Sequence, residues 1–88
     1  MKKHFFTVYD SAAGLYLDPF VAPSIEFAIR EFRQAVNTPD HQFNKFPSDY
    51  TLFHTGEFDP YTGLLEGIGP TSLGVAITFV EKIKLQFP

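Results

Sequence analysis

Polar and apolar positions alternate from His4 to Tyr9, with His4, Phe6 and Val8 on one side and Phe5, Thr7 and Tyr9 on the other. A period of two is that of a β-strand, and rings on both sides predict a strand that is central or covered on both faces. Asp10-Ser11-Ala12-Ala13-Gly14 has the length of a hairpin loop, with Gly14 free to take a positive φ, and Leu15-Tyr16-Leu17 begins the returning strand. Pro19 removes a ladder donor, so this partner is expected to run along an edge or to bend there.

The period then changes to that of a helix. Ile25, Ala28, Ile29, Phe32, Ala35 and Val36 form one apolar stripe between Ser24 and Asn37. Ser24 is a good N-cap, Glu26 places a negative charge in the first turn, Asn37 suits the C-terminal cap, and Pro39 prevents continuation. Arg30, Arg33 and Gln34 fall on the flanks and back of this helix, together with Phe27. An apolar ring on a polar face needs a cover, which a loop, a second chain or a ligand can supply.

Residues 38–49 carry Pro39, Asp40, Asn44, Pro47 and Ser48, the chemistry of a loop, but also Phe43, Lys45 and Phe46. These rings either pin the loop to the body or present flat faces beside a cation. Tyr50 to Phe58 alternates again, with Tyr50, Leu52 and His54 facing one way and Thr51, Phe53 and Thr55 the other. Asp59-Pro60-Tyr61-Thr62-Gly63 predicts a turn, and Leu64 to Ile68 a returning strand that Gly67, Gly69 and Pro70 end. Beyond it Leu73, Ala76, Ile77 and Val80 fit a helix. The run Val75–Val80 followed by alternating Ile83, Leu85 and Phe87 fits a strand, and as the longer pattern it is the one expected.

These elements predict an α+β fold: an antiparallel sheet of four or five strands, in the order ββαββ(β), with the 24–37 helix packed on one face. A length of 88 residues allows one domain, 1–88. A chain this short buries only roughly 60% of the surface its unfolded form exposes, and it has no cysteine to staple the core. Eleven Phe and four Tyr are more apolar surface than one small core hides easily, which points to self-association, with a homodimer as the expected form. No apolar run approaches the roughly 20 residues that span a bilayer, and Phe5-Phe6 is too short for a signal-peptide core. The expected setting is therefore cytosolic, with no membrane partner.

The net charge of −3 argues against indiscriminate binding of nucleic acid, but the charge is uneven. Residues 37–70 hold Asp40, Asp49, Glu57, Asp59 and Glu66 against Lys45 alone, whereas the ends carry Lys2, Lys3, Lys82 and Lys84. Catalytic constellations are missing: there is no thiol, no Gly-rich phosphate loop and no serine in a nucleophile elbow, so no enzyme and no cofactor is expected. His4 and His54 sit on strands able to neighbour each other, with Asp49 or Glu57 as a third ligand. Strand histidines flanked by Phe are more commonly half-buried and hydrogen-bonded, and no metal is expected. Cations interleaved with rings are what single-stranded nucleic acid requires, charge for phosphates and flat faces for bases. The same lysines on chain ends and edge strands also serve solubility.

Val8-Tyr9-Asp10-Ser11, Pro19-Phe20 ahead of the helix, Asp49-Tyr50-Thr51-Leu52-Phe53, Gly56-Glu57-Phe58-Asp59 and Thr62-Gly63, in this order and spacing, resemble the small non-structural DNA-binding protein of gokushoviruses. Those are single-stranded DNA phages of the microvirus family. The resemblance runs from about Phe5 to Leu65. It implies a replication-associated accessory protein, absent from the capsid and acting in the host cytoplasm while single-stranded genomes are made for packaging, with no catalytic residues. It does not assign the residues that touch DNA. The candidates are Lys2, Lys3, Arg30, Arg33, Lys45, Lys82 and Lys84 for phosphate, with Phe27, Phe43 and Phe46 for stacking on single-stranded DNA. The other function class the residues allow is a protein–protein adaptor that recruits phage replication or capsid proteins through its aromatic surface.

Overall fold

In the computed structural model, which describes residues 1–81, a five-stranded antiparallel sheet carries one main helix on one face. The strands are β1 (Lys3–Asp10), β2 (Leu15–Tyr16), β3 (Phe20–Ala22), β4 (Tyr50–Phe58) and β5 (Leu65–Val75). Their order is β2-β1-β4-β5, with β3 beside β2 on the same edge of β1. The 3-residue β3 is an addition to the expected order. The chain bends at Pro19, so the partner of β1 is split in two: Tyr16 pairs with Tyr9 and Phe20 with Phe6. Helix α1 (Ile25–Val36) forms where the apolar stripe predicts it. Ser24 Oγ accepts from the Phe27 N–H at 3.1 Å, and Asn37 Nδ2 donates to the Arg33 carbonyl at 2.8 Å.

Ala28, Phe32 and Val36 of α1 pack on Phe6 and Val8 of β1 and on Tyr50 and Leu52 of β4, with Ala22 and Ala76 closing the core. Tyr50 is buried with its hydroxyl 3.3 Å from Gln42 Oε1. That burial, reinforced by the Asp10 and Asp49 carboxylates, holds its pKa above the ordinary phenol value.

Both hairpin turns take the expected chemistry. Asp10 Oδ1 accepts from the N–H groups of Ala12 and Ala13, and Gly14 closes that turn at φ +75°. Asp59 Oδ1 accepts from the Tyr61 N–H, and Gly63 exits the second turn at φ +77°. Residues 38–49 are more ordered than their turn chemistry suggests. They hold a one-turn helix, α2 (Gln42–Lys45), capped by the His41 ring, and a 3₁₀ turn at Pro47–Asp49.

Two expectations need correction. Gly67, Gly69 and Pro70 do not end the returning strand, because β5 continues through them to Val75. Among the described residues it is the outer strand of the sheet, and Ile68, Gly69 and Pro70 fall in the break of register between the Gly56–Gly67 and His54–Thr71 pairs, where a missing N–H at proline costs no ladder bond. The strand favoured for the tail stops at Val75, and Ala76–Phe79 forms a 3₁₀ turn whose Ala76 enters the core. The alternating positions Ile83, Leu85 and Phe87 lie outside the described residues. Among those described, no helix is long and apolar enough to cross a membrane.

Candidate nucleic-acid interface

The candidate cations and rings fall in separate places. Phe27, Arg30 and Arg33 share the outer side of α1. The Arg30 guanidinium lies 5.5 Å from the Phe27 ring centre, and Arg33 sits 5.4 Å over the Phe79 ring. Both arginines line two adjoining grooves of about 450 and 670 Å³, the second of which also holds Glu31 and Glu81. At the C-terminal end of α2 Lys45 and Phe46 are exposed.

Phe43 lies between them and the core, its ring 5.4 Å from Phe32, 4.6 Å from Tyr50 and 4.6 Å from His41. That ring pins the 38–49 segment to the body. Lys2 stands 3.6 Å from Glu57 and 4.0 Å from Glu66, so acids already surround its charge. Lys82 and Lys84 lie outside the described residues.

The face of the sheet away from α1 holds a group of rings that the sequence candidates omitted. Cross-strand partners share a face, and residues alternate along a strand. Phe6 and Val8 point to the helix, so Lys3, Phe5, Thr7 and Tyr9 point away from it. Phe53 joins Thr7 across β1–β4, and Tyr16 joins Tyr9 across β1–β2. The Tyr9 and Tyr16 ring centres are 4.8 Å apart, and Tyr16 meets Phe53 edge-on at 5.5 Å. Beside Tyr16 a groove of about 300 Å³ runs between Thr7, Leu17, Pro19, Thr55 and Pro70. No helix among the described residues covers this face: α1, Phe43 of α2 and Ala76 all belong to the opposite side.

Its electrostatics differ from those of the chain as a whole. The carboxylates carried by the strands are Asp10, Glu57 and Glu66. Asp10 pairs with buried Tyr50, while Glu57 pairs with His4 and with Glu66, which places all three on the helix side. Asp18 lines a groove with Phe20, Glu31 and Phe32, also on that side. The open face is therefore aromatic, free of strand carboxylates, and carries Lys3 at one end. Rings on β1 positions that alternate with core residues were visible in the sequence. Which of the two sets the helix leaves bare was not.

Residues 3–79 match the model of a family described as Phage ORF5 protein. No curated protein and no solved structure matches the chain.

Proposed function

Because the chain belongs to the Phage ORF5 protein family, we propose that this phage protein binds single-stranded DNA during genome synthesis or packaging, with bases laid on the open face of the sheet. The observation that carries the reading is the Tyr9–Tyr16–Phe53 group on a face without strand carboxylates. Bases stack on such rings whatever their identity, each contact contributing about 1–3 kcal/mol. An acidic protein binds a polyanion this way when its acids are sorted to the other side. With Lys3 as the strand cation there, stacking outweighs phosphate contact.

Titration of a labelled thymidine oligonucleotide, followed by anisotropy at two salt concentrations, tests the proposal. Binding is expected to favour single strands over duplex. Its salt slope should be shallow, since each phosphate neutralised contributes only about 0.7 decades per decade of salt. Tyr16→Ala and Phe53→Ala are expected to weaken binding by about 1–3 kcal/mol per base lost without changing that slope, and Arg30→Ala/Arg33→Ala to leave it intact. If folded wild-type protein fails to bind at low salt, the reading is wrong. If the arginine pair rather than the rings abolishes binding, the interface moves to the outer face of α1.

A protein–protein role has its own observation. At the far end of the β4–β5 hairpin Tyr61, Leu64 and Leu65 are 84%, 66% and 63% exposed. Apolar side chains grouped at a projecting tip mark a contact surface, and a second copy of this short chain is the partner expected. Light scattering should then show a dimer that Leu64→Glu/Leu65→Lys converts to monomer, with the DNA face still available. A strict monomer for the wild type would remove this second reading.

A further inference from the structure

We propose that His4, His54 and Glu57 form a zinc-class metal site, a three-ligand centre with its fourth position open to water. His4 Nδ1 and His54 Nε2 lie 3.2 Å apart, and Glu57 Oε2 is 4.0 Å from the same His4 nitrogen. One ligand atom from each of the three falls within 4.8 Å of the others. Zinc–nitrogen bonds of about 2.0–2.1 Å set two tetrahedral ligands about 3.3 Å apart, so the two imidazoles already stand at the required separation. The two nitrogens share a hydrogen bond, so binding an ion requires the donor ring to carry its proton on its other nitrogen, and metal affinity depends on pH accordingly. Two nitrogens and one carboxylate oxygen are the donors of catalytic and exchangeable zinc sites, and they suit magnesium or calcium poorly.

The backbone supplies the second argument. His4 and Glu57 are direct cross-strand partners. His54 and Glu57 are three residues apart on β4, so in a regular strand they would face opposite sides. The ladder slips between them: Phe5 pairs with Gly56 but Phe6 with His54, leaving Thr55 as the extra residue of a bulge. That bulge resets the alternation and puts His54 and Glu57 on one face. Lys2 holds Glu57 Oε1 at 3.6 Å, leaving Oε2 turned to His4.

Burial is graded as an open metal site requires. His54 is 8% exposed and backs onto Phe6, whose ring centre lies 5.1 Å away. The His4 and Glu57 side chains are 20% and 29% exposed, and they leave an entry from solvent. The site sits on the helix side of the sheet, away from the aromatic face, so its success or failure is independent of DNA binding.

Chelator-treated protein titrated with Zn²⁺ by calorimetry, with Co²⁺ as a visible-absorption probe, decides the matter. One ion per chain is expected, with a tetrahedral Co²⁺ spectrum, a melting temperature raised by Zn²⁺ and no response to Mg²⁺. His54→Ala removes a buried ring and is expected to unfold part of the sheet, so the informative variants are Glu57→Gln and His4→Gln. Each should stay folded by circular dichroism. Each should lose more affinity than the roughly 10–100-fold that removal of an outer-shell partner costs. His41→Gln, remote from the cluster, should bind as the wild type does. Absence of saturable Zn²⁺ binding with a Kd below roughly 100 μM, or full affinity in both Glu57→Gln and His4→Gln, overturns the proposal.

Discussion

Phe32→Ala is expected to cost about 3–5 kcal/mol, the range for truncating a buried phenylalanine. Phe32 is 3% exposed and lies where three segments meet. It belongs to α1, it touches Phe43 of α2 at 5.4 Å between ring centres, and it receives Phe79 of the final 3₁₀ turn edge-on at 5.7 Å. Neither of those segments has another large ring from the helix to pack against. Losing Phe32 therefore leaves a cavity that the sheet cannot collapse into without uncoupling the two turns. At roughly 0.05–0.15 kcal/mol per residue the whole domain has about 4–13 kcal/mol to lose, so this one change removes a large share of it. Urea unfolding should show a large fall in midpoint, or an already unfolded variant at room temperature, with Phe32→Leu recovering much of the loss. A loss below about 1 kcal/mol would mean that the 38–49 segment and the final turn lie outside the cooperative core.

Gly74→Ala is expected to rank next. Gly74 has φ +141°, a backbone conformation that residues with a side chain rarely adopt, and holding one there costs about 1–3 kcal/mol. A Cβ at this position would also lie 2.8 Å from Phe79 Cε2 and 3.0 Å from Cζ. The ring has little freedom to retreat, since its edge contact with Phe32 and the Arg33 guanidinium above it hold it in place. Overpacking of this kind adds about 1–3 kcal/mol. Adding Phe79→Ala should cancel the steric part and leave the backbone part, so the two substitutions are expected to be strongly non-additive in unfolding measurements. Gly67→Ala and Gly69→Ala provide the contrast: a Cβ meets nothing within 4 Å at either position, and both changes should stay within about 0.5 kcal/mol. An equal effect at all three positions would refute the assigned geometry of the β5–3₁₀ junction.

Phe32, Gly74 and Phe79 meet across three segments of the chain, and there local sequence patterns reach their limit. Ser24, Glu26, Asn37 and the apolar stripe settle α1 because helix period and capping involve residues within four of one another. Asp10 with Gly14, and Asp59 with Gly63, settle the two turns for the same reason, each closing on itself through a side-chain oxygen and a glycine at positive φ. The alternation of β1 and β4 likewise separated His4, Phe6 and Val8 from Phe5, Thr7 and Tyr9. The glycines and proline of β5 read as a strand end, because their effect on a ladder depends on whether a neighbour lies on that side. Only the pairing shows that they fall at a break of register on a strand with no further neighbour among the described residues.

Phe43 shows the same limit. Its chemistry fits either an anchoring or a presented ring, and Phe32 and Tyr50, eleven residues before it and seven after, decide for anchoring. The candidate site was legible as a composition, rings and a few cations in an acidic chain, but not as a surface. Local spacing sorts residues into two sets on each strand and says nothing about which set the helix covers. Nor does it say where a bulge such as Thr55 exchanges the sets, as it does to bring His54 to the side of Glu57. Those choices depend on contacts between residues dozens of positions apart, made only when the strands pair and the helix docks. The chain's own period thus determined its helix and turns, and tertiary packing alone decided which aromatic face stays open and which side chains meet.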